Sequence, residues 1–135
     1  MTNLKSFLMK DVFKPNGLGI KRIFKATYCS YLGFKAAFKE EAAFRQELVL
    51  SIILLPLSFW LATSILHWAL LVSTLLVILI VELLNSAIEA LTDRVSTDHH
   101  VLSGRAKDMG SAAVTLSLMI ALITWGASLY LKVFN

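Results

Sequence analysis

Three carboxylates, Glu82, Glu89 and Asp93, stand seven and then four residues apart, just where an apolar run gives way to polar chain. At about 100° per residue of α-helix, Glu89 falls roughly 20° to one side of Glu82 and Asp93 roughly 20° to the other. Asn85 and Ser86 flank the same line. An ionisable side chain at membrane depth is costly and is rarely retained without a partner or a task. The stripe therefore marks a functional site at a membrane surface. A second polar cluster, residues 39–47, contributes Glu40, Glu41, Arg45, Gln46 and Glu47 directly ahead of another apolar run. Placed at the same surface, its carboxylates join the first set.

The chemistry suited to such a set is phosphoryl transfer. That reaction needs a divalent ion on the phosphates, cations to spread charge and a base beside the attacking hydroxyl. Magnesium takes one or two carboxylates and fills the rest of its shell with phosphate oxygens and water. Glu41 and Glu89 can supply those carboxylates, and Glu82, two helical turns deeper than Glu89, is better placed for a hydroxyl arriving from the bilayer. Arg105 and Lys107 bring positive charge close to Asp108. The chain has neither G-x-x-x-x-G-K-[ST] nor G-x-G-x-x-G. A nucleotide would thus be held by side-chain cations and metal, not by a glycine cradle. His99 and His100 are adjacent, and consecutive histidines on a connection read as solvent-exposed before they read as metal ligands.

The elements that must position these groups are membrane helices. Of the 135 residues 57% are hydrophobic, and the mean hydropathy is +0.71. Residues 48–81 contain no Asp, Glu, Lys or Arg. As one helix that stretch would reach about 51 Å, well beyond the roughly 30 Å of a hydrocarbon core. It is expected to fold into two spans with a turn near Thr63 to His67, each slightly shorter than usual. Residues 112–131 form a third uncharged run. Nine of the thirteen Lys and Arg precede residue 48, and Arg94, Arg105 and Lys107 lie between the second and third spans. The positive-inside bias then puts the N-terminus and residues 85–111 in the cytoplasm. The turn near His67 and the tail from Lys132 face outward, and every carboxylate is cytoplasmic.

Residues 1–19 read as a basic lead, closed by the turn formers Pro15, Asn16, Gly17 and Gly19. Residues 20–40 alternate lysines with Ile20, Ile23, Phe24, Tyr31, Phe34 and Phe38 at helical pitch, the pattern of a helix lying in the interface, with Gly33 as a place for a bend. Pro56 sits inside the first span, where bilayer helices tolerate it. Ala113, Ser117 and Ala121 repeat every four residues, a spacing that lets helices approach closely. The expected architecture is an all-α membrane protein with a surface helix at 20–40 and spans at about 46–64, 68–90 and 110–132. Residues 20–135 form one domain. Three spans enclose a site poorly, so a homo-oligomer with the site between subunits is expected. Cys29 is the only cysteine, which excludes an internal disulfide and Cys-x-x-Cys zinc sites. The N-terminus has no apolar core ahead of a small-residue cleavage site. The net charge of +4 hugs the spans, which indicates topology and anionic lipid; nucleic acid is not an expected partner.

Three segments, 41–47, 81–90 and 102–114, read EAAFRQE, VELLNSAIEA and LSGRAKDMGSAAV. In this order and spacing they resemble the bacterial integral-membrane diacylglycerol kinases, and the resemblance extends over about residues 21–125. It implies a homotrimer in the bacterial inner membrane, multi-pass, with cytoplasmic active sites. It implies transfer of the γ-phosphate of MgATP to the primary hydroxyl of diacylglycerol, giving phosphatidic acid. By the same resemblance Glu82 matches the general base and Asn85 a position that orients it. Glu41 and Glu89 match the Mg2+ ligands, and Arg22, Asp98, His100, Lys107 and Asp108 match nucleotide contacts. Ser30, Arg45, Gln46, Glu47, Trp60, Ser111 and Trp125 match lipid-side contacts. The chain departs from the family wording at Asp98 (glutamate), His99 (tyrosine) and Cys29 (tyrosine). A sister group phosphorylates undecaprenol, whose hydroxyl meets the interface in the same way; the wording at 44–47 and 103–105 is closer to the diacylglycerol group. Two readings of other classes remain. One is a proton-coupled transporter, disfavoured by the edge position of Glu82 and the lack of an inverted repeat. The other is a scaffold in which the stripe is a polar seam.

Overall fold

A computed structural model of the chain describes residues 20–95, Asp98 and residues 100–134. The basic lead 1–19 and His99 lie outside the described residues. Four helices follow one another: α1 (Ile20–Glu40), α2 (Ala42–Leu61), α3 (Ile65–Val95) and α4 (Val101–Phe134). Among the described residues there is no strand. The chain divides between residues 36 and 37 into two compact units.

The first unit holds most of α1, which runs through Gly33 without a break. Thr27 and Ser30 turn their hydroxyls back onto the carbonyls of Ile23 and Ala26, both at 3.0 Å, so neither competes with the helix. Ile20, Ile23, Phe24 and Tyr31 are all exposed in this unit.

The second unit starts with the last turn of α1 and contains α2, α3 and α4. The helical path is interrupted at Glu41, whose backbone is extended (φ −103°, ψ 114°) although its N–H still bonds the Ala37 carbonyl at 2.9 Å. The Arg45 guanidinium donates to the carbonyls of Phe38 at 3.0 Å and Lys39 at 3.1 Å. It satisfies acceptors that a helix end leaves open.

The apolar spans are longer than the charge-free runs. α3 has 31 residues and α4 has 34, so α3 alone extends about 46 Å. The turn before α3 occupies 62–64, earlier than the expected 63–67, and α4 starts at Val101, well before the expected 110. The physical reason is that charge ends a membrane span but not a helix. Glu82 to Arg94 and Ser103 to Asp108 carry Glu, Leu, Ala, Arg and Lys, which favour helix, and no proline to stop it. Lys107 and Asp108, placed by charge pattern in a connection, therefore stand on helix. His100 opens it: its Nδ1 accepts the Leu102 N–H at 3.2 Å, in the manner of an N-terminal cap.

α3 is the central element, packing chiefly against α4 and secondly against α2, while α2 and α4 touch little. Its buried face reads Leu71, Thr74, Leu75, Ile78, Glu82, Asn85, Ser86. That is helical periodicity, largely apolar from Leu71 to Ile78 and polar from Glu82 to Ser86. α4 answers with small residues, Gly110, Ser117, Ala121 and Ser128. Ala113, expected in this stripe, is exposed, and Gly110 takes part instead. Trp125 Nε1 donates to Thr74 Oγ1 at 3.0 Å, and the Thr74 hydroxyl donates to the Leu71 carbonyl at 2.7 Å. At the turn 62–64, His67 Nε2 meets Ser128 Oγ at 2.8 Å while its Nδ1 accepts the Thr63 N–H at 3.3 Å, tying the turn to α4.

All three of these helices are long and apolar enough to cross a membrane, yet only 11%, 28% and 17% of their most apolar windows are buried. So much open apolar surface belongs against lipid or other helices, not water. Because α3 and α4 meet through small side chains, a large one should force them apart. Ser117→Leu, at a position only 3% exposed, is expected to cost about 1–3 kcal/mol through overpacking, read as a lowered melting temperature in detergent.

Candidate functional site

Antiparallel passage of α2, α3 and α4 brings the start of α2, the C-terminal half of α3 and the start of α4 to one end of the bundle. Glu41 and Glu47, Glu82 and Glu89, and Lys107 sit on those three segments. Glu82 is 3% exposed, the one buried carboxylate among the described residues. It lies within electrostatic reach of both Glu89 and Glu41, and Glu47 lies within reach of Glu82. Four carboxylates, one at the N-cap of α2, one on α2 and two on α3, thus share one electrostatic environment. Like charges that feel one another repel more strongly where water is scarce.

Asn85 is the internal strut of this cluster. It is buried, and its Nδ2 donates to Glu89 Oε1 at 3.0 Å, one turn along α3. Its hydrogen bond thus goes to the outer carboxylate, the one expected to hold metal. Asn85 Oδ1 and the neighbouring Ser86 Oγ are buried without a hydrogen-bond partner, as is Glu47 Oε2.

The positive edge comes from α4. Lys107 Nζ binds Asp93 Oδ1 at 2.6 Å and also feels the charge of Glu89. The third carboxylate of the stripe is therefore engaged by the lysine. The sequence reading set Lys107 beside Asp108; the structure joins it to Asp93 across the α3–α4 interface, while Asp108 is exposed. The sequence places Asp93 on the stripe without a role of its own; the structure makes it the partner of Lys107. Gly110 was missed, and no spacing rule could have found it. A Cβ on Gly110 would collide with Asn85 Oδ1.

The other expected site residues are distributed as follows. Asp98, His100, Gln46 and Ser111 are exposed, and Arg45 is half-buried at the α1–α2 corner. Arg22 and Ser30 are exposed on the first unit. Trp60 lies at the far end of α2, with Lys132 Nζ 5.5 Å from its ring centre; nineteen residues of helix separate it from Glu41, or about 28 Å. Trp125 is on α4, where its indole N–H bonds Thr74 of α3. It lines a cavity of about 340 Å3 between α2, α3 and α4, with Leu50, Leu54, Leu75 and Ile78 and with Glu47 on its wall. The cavity gives an apolar chain a path along the bundle toward the acidic end.

The residues present fit a magnesium ion of the kind that rides on a nucleotide. No group of three or more His, Cys, Asp or Glu side chains forms a closed metal cage among the described residues. Two carboxylates with open coordination positions leave room for phosphate oxygens.

A helical membrane protein with a buried carboxylate, further acidic groups around it and a cationic rim is the class these features define. Residues 28–129 match the family model described as prokaryotic diacylglycerol kinase. The diacylglycerol kinase of Escherichia coli K12 is 48% identical over 110 residues, covering 82% of this chain and 90% of the relative. That of Pseudomonas aeruginosa is 52% identical over 111 residues, with the same coverage. That of Haemophilus influenzae is 46% identical over 112 residues, covering 83% and 95%. The chain belongs to the prokaryotic diacylglycerol kinase family.

Proposed function

We propose that this protein is an ATP-dependent kinase that phosphorylates the primary hydroxyl of diacylglycerol to phosphatidic acid. The observation that carries the reading is the burial of Glu82 at the acidic end of the bundle, with Glu41, Glu47 and Glu89 around it and an apolar cavity leading toward it. A greasy alcohol and a water-borne triphosphate can meet only at such a boundary.

In this reading the diacylglycerol oxygen attacks the γ-phosphorus in line. The new O–P bond forms as the bond to the β–γ bridging oxygen breaks, ADP leaves, and the hydroxyl proton passes to Glu82. Glu41 and Glu89 would hold the Mg2+ that accompanies the nucleotide, and Asn85 fixes the Glu89 carboxylate by its hydrogen bond. When bound, the ion neutralises charge developing on the phosphoryl oxygens. Lys107, steered by Asp93, contributes a cation at the rim, and Arg22, Asp98, His100 and Asp108 complete the nucleotide side. Ser30, Arg45, Gln46, Glu47, Trp60, Ser111 and Trp125 meet the lipid. The far position of Trp60 suits contact with acyl chain or outer interface, not with the reacting hydroxyl.

The enzyme acts as a homotrimer in the bacterial inner membrane, its active sites facing the cytoplasm and residues 20–40 lying in the interface. Residues 20–135 act as a single kinase domain, and the basic lead 1–19 adds attraction to anionic lipid. The largely uncovered faces of α2 and α4 support assembly; the count of three rests on the family resemblance. The test is transfer of labelled phosphate from ATP to lipid in mixed micelles, with diacylglycerol and undecaprenol offered separately. Phosphatidic acid as the main product is the expected result. Preference for undecaprenol would move the chain to the sister activity, and no ATP-dependent product from either lipid would remove the kinase reading.

A further inference from the structure

We propose that Gly110 is a positioning residue for the acidic cluster: its missing side chain leaves the slot on α4 that seats the Asn85 amide with its NH2 group turned to Glu89. The inference deepens the reading of Glu89 as a metal ligand and rests on it for its functional meaning.

Gly110 is buried against α3. A Cβ there would collide with Asn85 Oδ1 and stand 3.3 Å from Asn85 Cγ, whereas Asn85 Cα, at 3.8 Å, is in ordinary contact. The obstacle is thus the amide alone. At the other described glycines, Gly33, Gly104 and Gly126, a Cβ would meet nothing within 4 Å. Only at Gly110, among these four, is the lack of a side chain used.

The orientation of the amide is set by one hydrogen bond: Nδ2, the end that donates, faces Glu89 Oε1 at 3.0 Å. Oδ1 is thereby turned toward Gly110, where it is buried without a donor. A carbonyl kept unpaired in the interior is unfavourable and persists only where surrounding groups dictate it. A methyl at 110 would push the amide out of this slot, and rotation about the Asn85 side-chain bonds would carry Nδ2 away from Glu89. The Glu89 carboxylate would then lose its strut.

The test compares Gly110→Ala, Asn85→Ala, the double variant and, as a control, Gly126→Ala. Melting temperature in detergent and the Mg2+ concentration for half-maximal turnover are measured for each. In a free helix, glycine to alanine is stabilising, so the sign of the change is diagnostic. Gly110→Ala should lower the melting temperature in the natural background and raise it in the Asn85→Ala background, while Gly126→Ala lowers it in neither. Gly110→Ala and Asn85→Ala should each raise the Mg2+ requirement about tenfold, without change in the KM for diacylglycerol, and the double variant should be no worse than Asn85→Ala alone. Multiplying effects on the Mg2+ requirement, a double variant less stable than Gly110→Ala, or natural Mg2+ dependence in Gly110→Ala would each overturn the assignment. Should Gly110→Ala fail to fold, a folded double variant supports it and an unfolded one overturns it. If diacylglycerol is not the acceptor, the same cycle is read as the melting-temperature shift produced by MgATP, so the two readings fail separately.

Discussion

Glu82→Gln is expected to lower turnover by about 10²- to 10⁴-fold, the usual range for loss of a positioned base, while MgATP still raises the melting temperature. Glutamine keeps the shape of the side chain and its place on the buried face of α3, so packing with α4 is preserved. What it loses is the capacity to take a proton from the lipid hydroxyl. It also removes one of the mutually repelling carboxylates, since Glu82 feels Glu89 and Glu41. The variant should therefore melt no lower than the natural protein. Initial rates in mixed micelles, set beside melting curves with and without MgATP, make the check. Full activity in the variant would remove Glu82 from the base role; loss of MgATP stabilisation would reassign it to nucleotide or metal binding.

Glu89→Gln should produce a loss of a different kind. Glu89 sits one turn beyond Asn85, receives its amide hydrogen bond at 3.0 Å and lies near Lys107. Neutralising it takes away an anionic oxygen from the proposed Mg2+ ligands, and the Mg2+ requirement is expected to rise by about 100-fold. The KM for diacylglycerol should stay near its natural value. Raising Mg2+ should restore part of the activity of Glu89→Gln and none of the activity of Glu82→Gln. A Glu89→Gln variant whose rate has the natural dependence on Mg2+ would place the metal elsewhere. The contrast separates two carboxylates that are only seven residues apart on one helix and share one electrostatic environment.

Much of the membrane architecture was legible in the residue order. Residues 48–81 without a charge, too long for one crossing, require two spans and a turn, and α2 and α3 meet that requirement with a turn at 62–64. The acidic stripe was legible as well, because helical pitch alone puts Glu82, Glu89 and Asp93 on one line. The ends of the helices were not. Charge pattern marks where chain leaves the hydrocarbon, whereas the helix continues as long as its hydrogen bonds and propensities permit. α4 consequently begins nine residues ahead of the expected span, at Val101, and carries Lys107 and Asp108 with it.

Residue types and their spacing along single helices, which need no knowledge of neighbours, determined that this chain is helical, crosses a membrane and keeps acidic groups at its edge. Pairings between helices were decided only by the tertiary structure: Lys107 with Asp93 instead of Asp108, Asn85 braced on Glu89 with Gly110 at its back, and Gly110 in place of Ala113 in the close-packed stripe. The physical reason is that periodicity states which face a side chain occupies but not the rotation and height at which the next helix docks. An ångström of that docking determines whether a glycine is idle or indispensable.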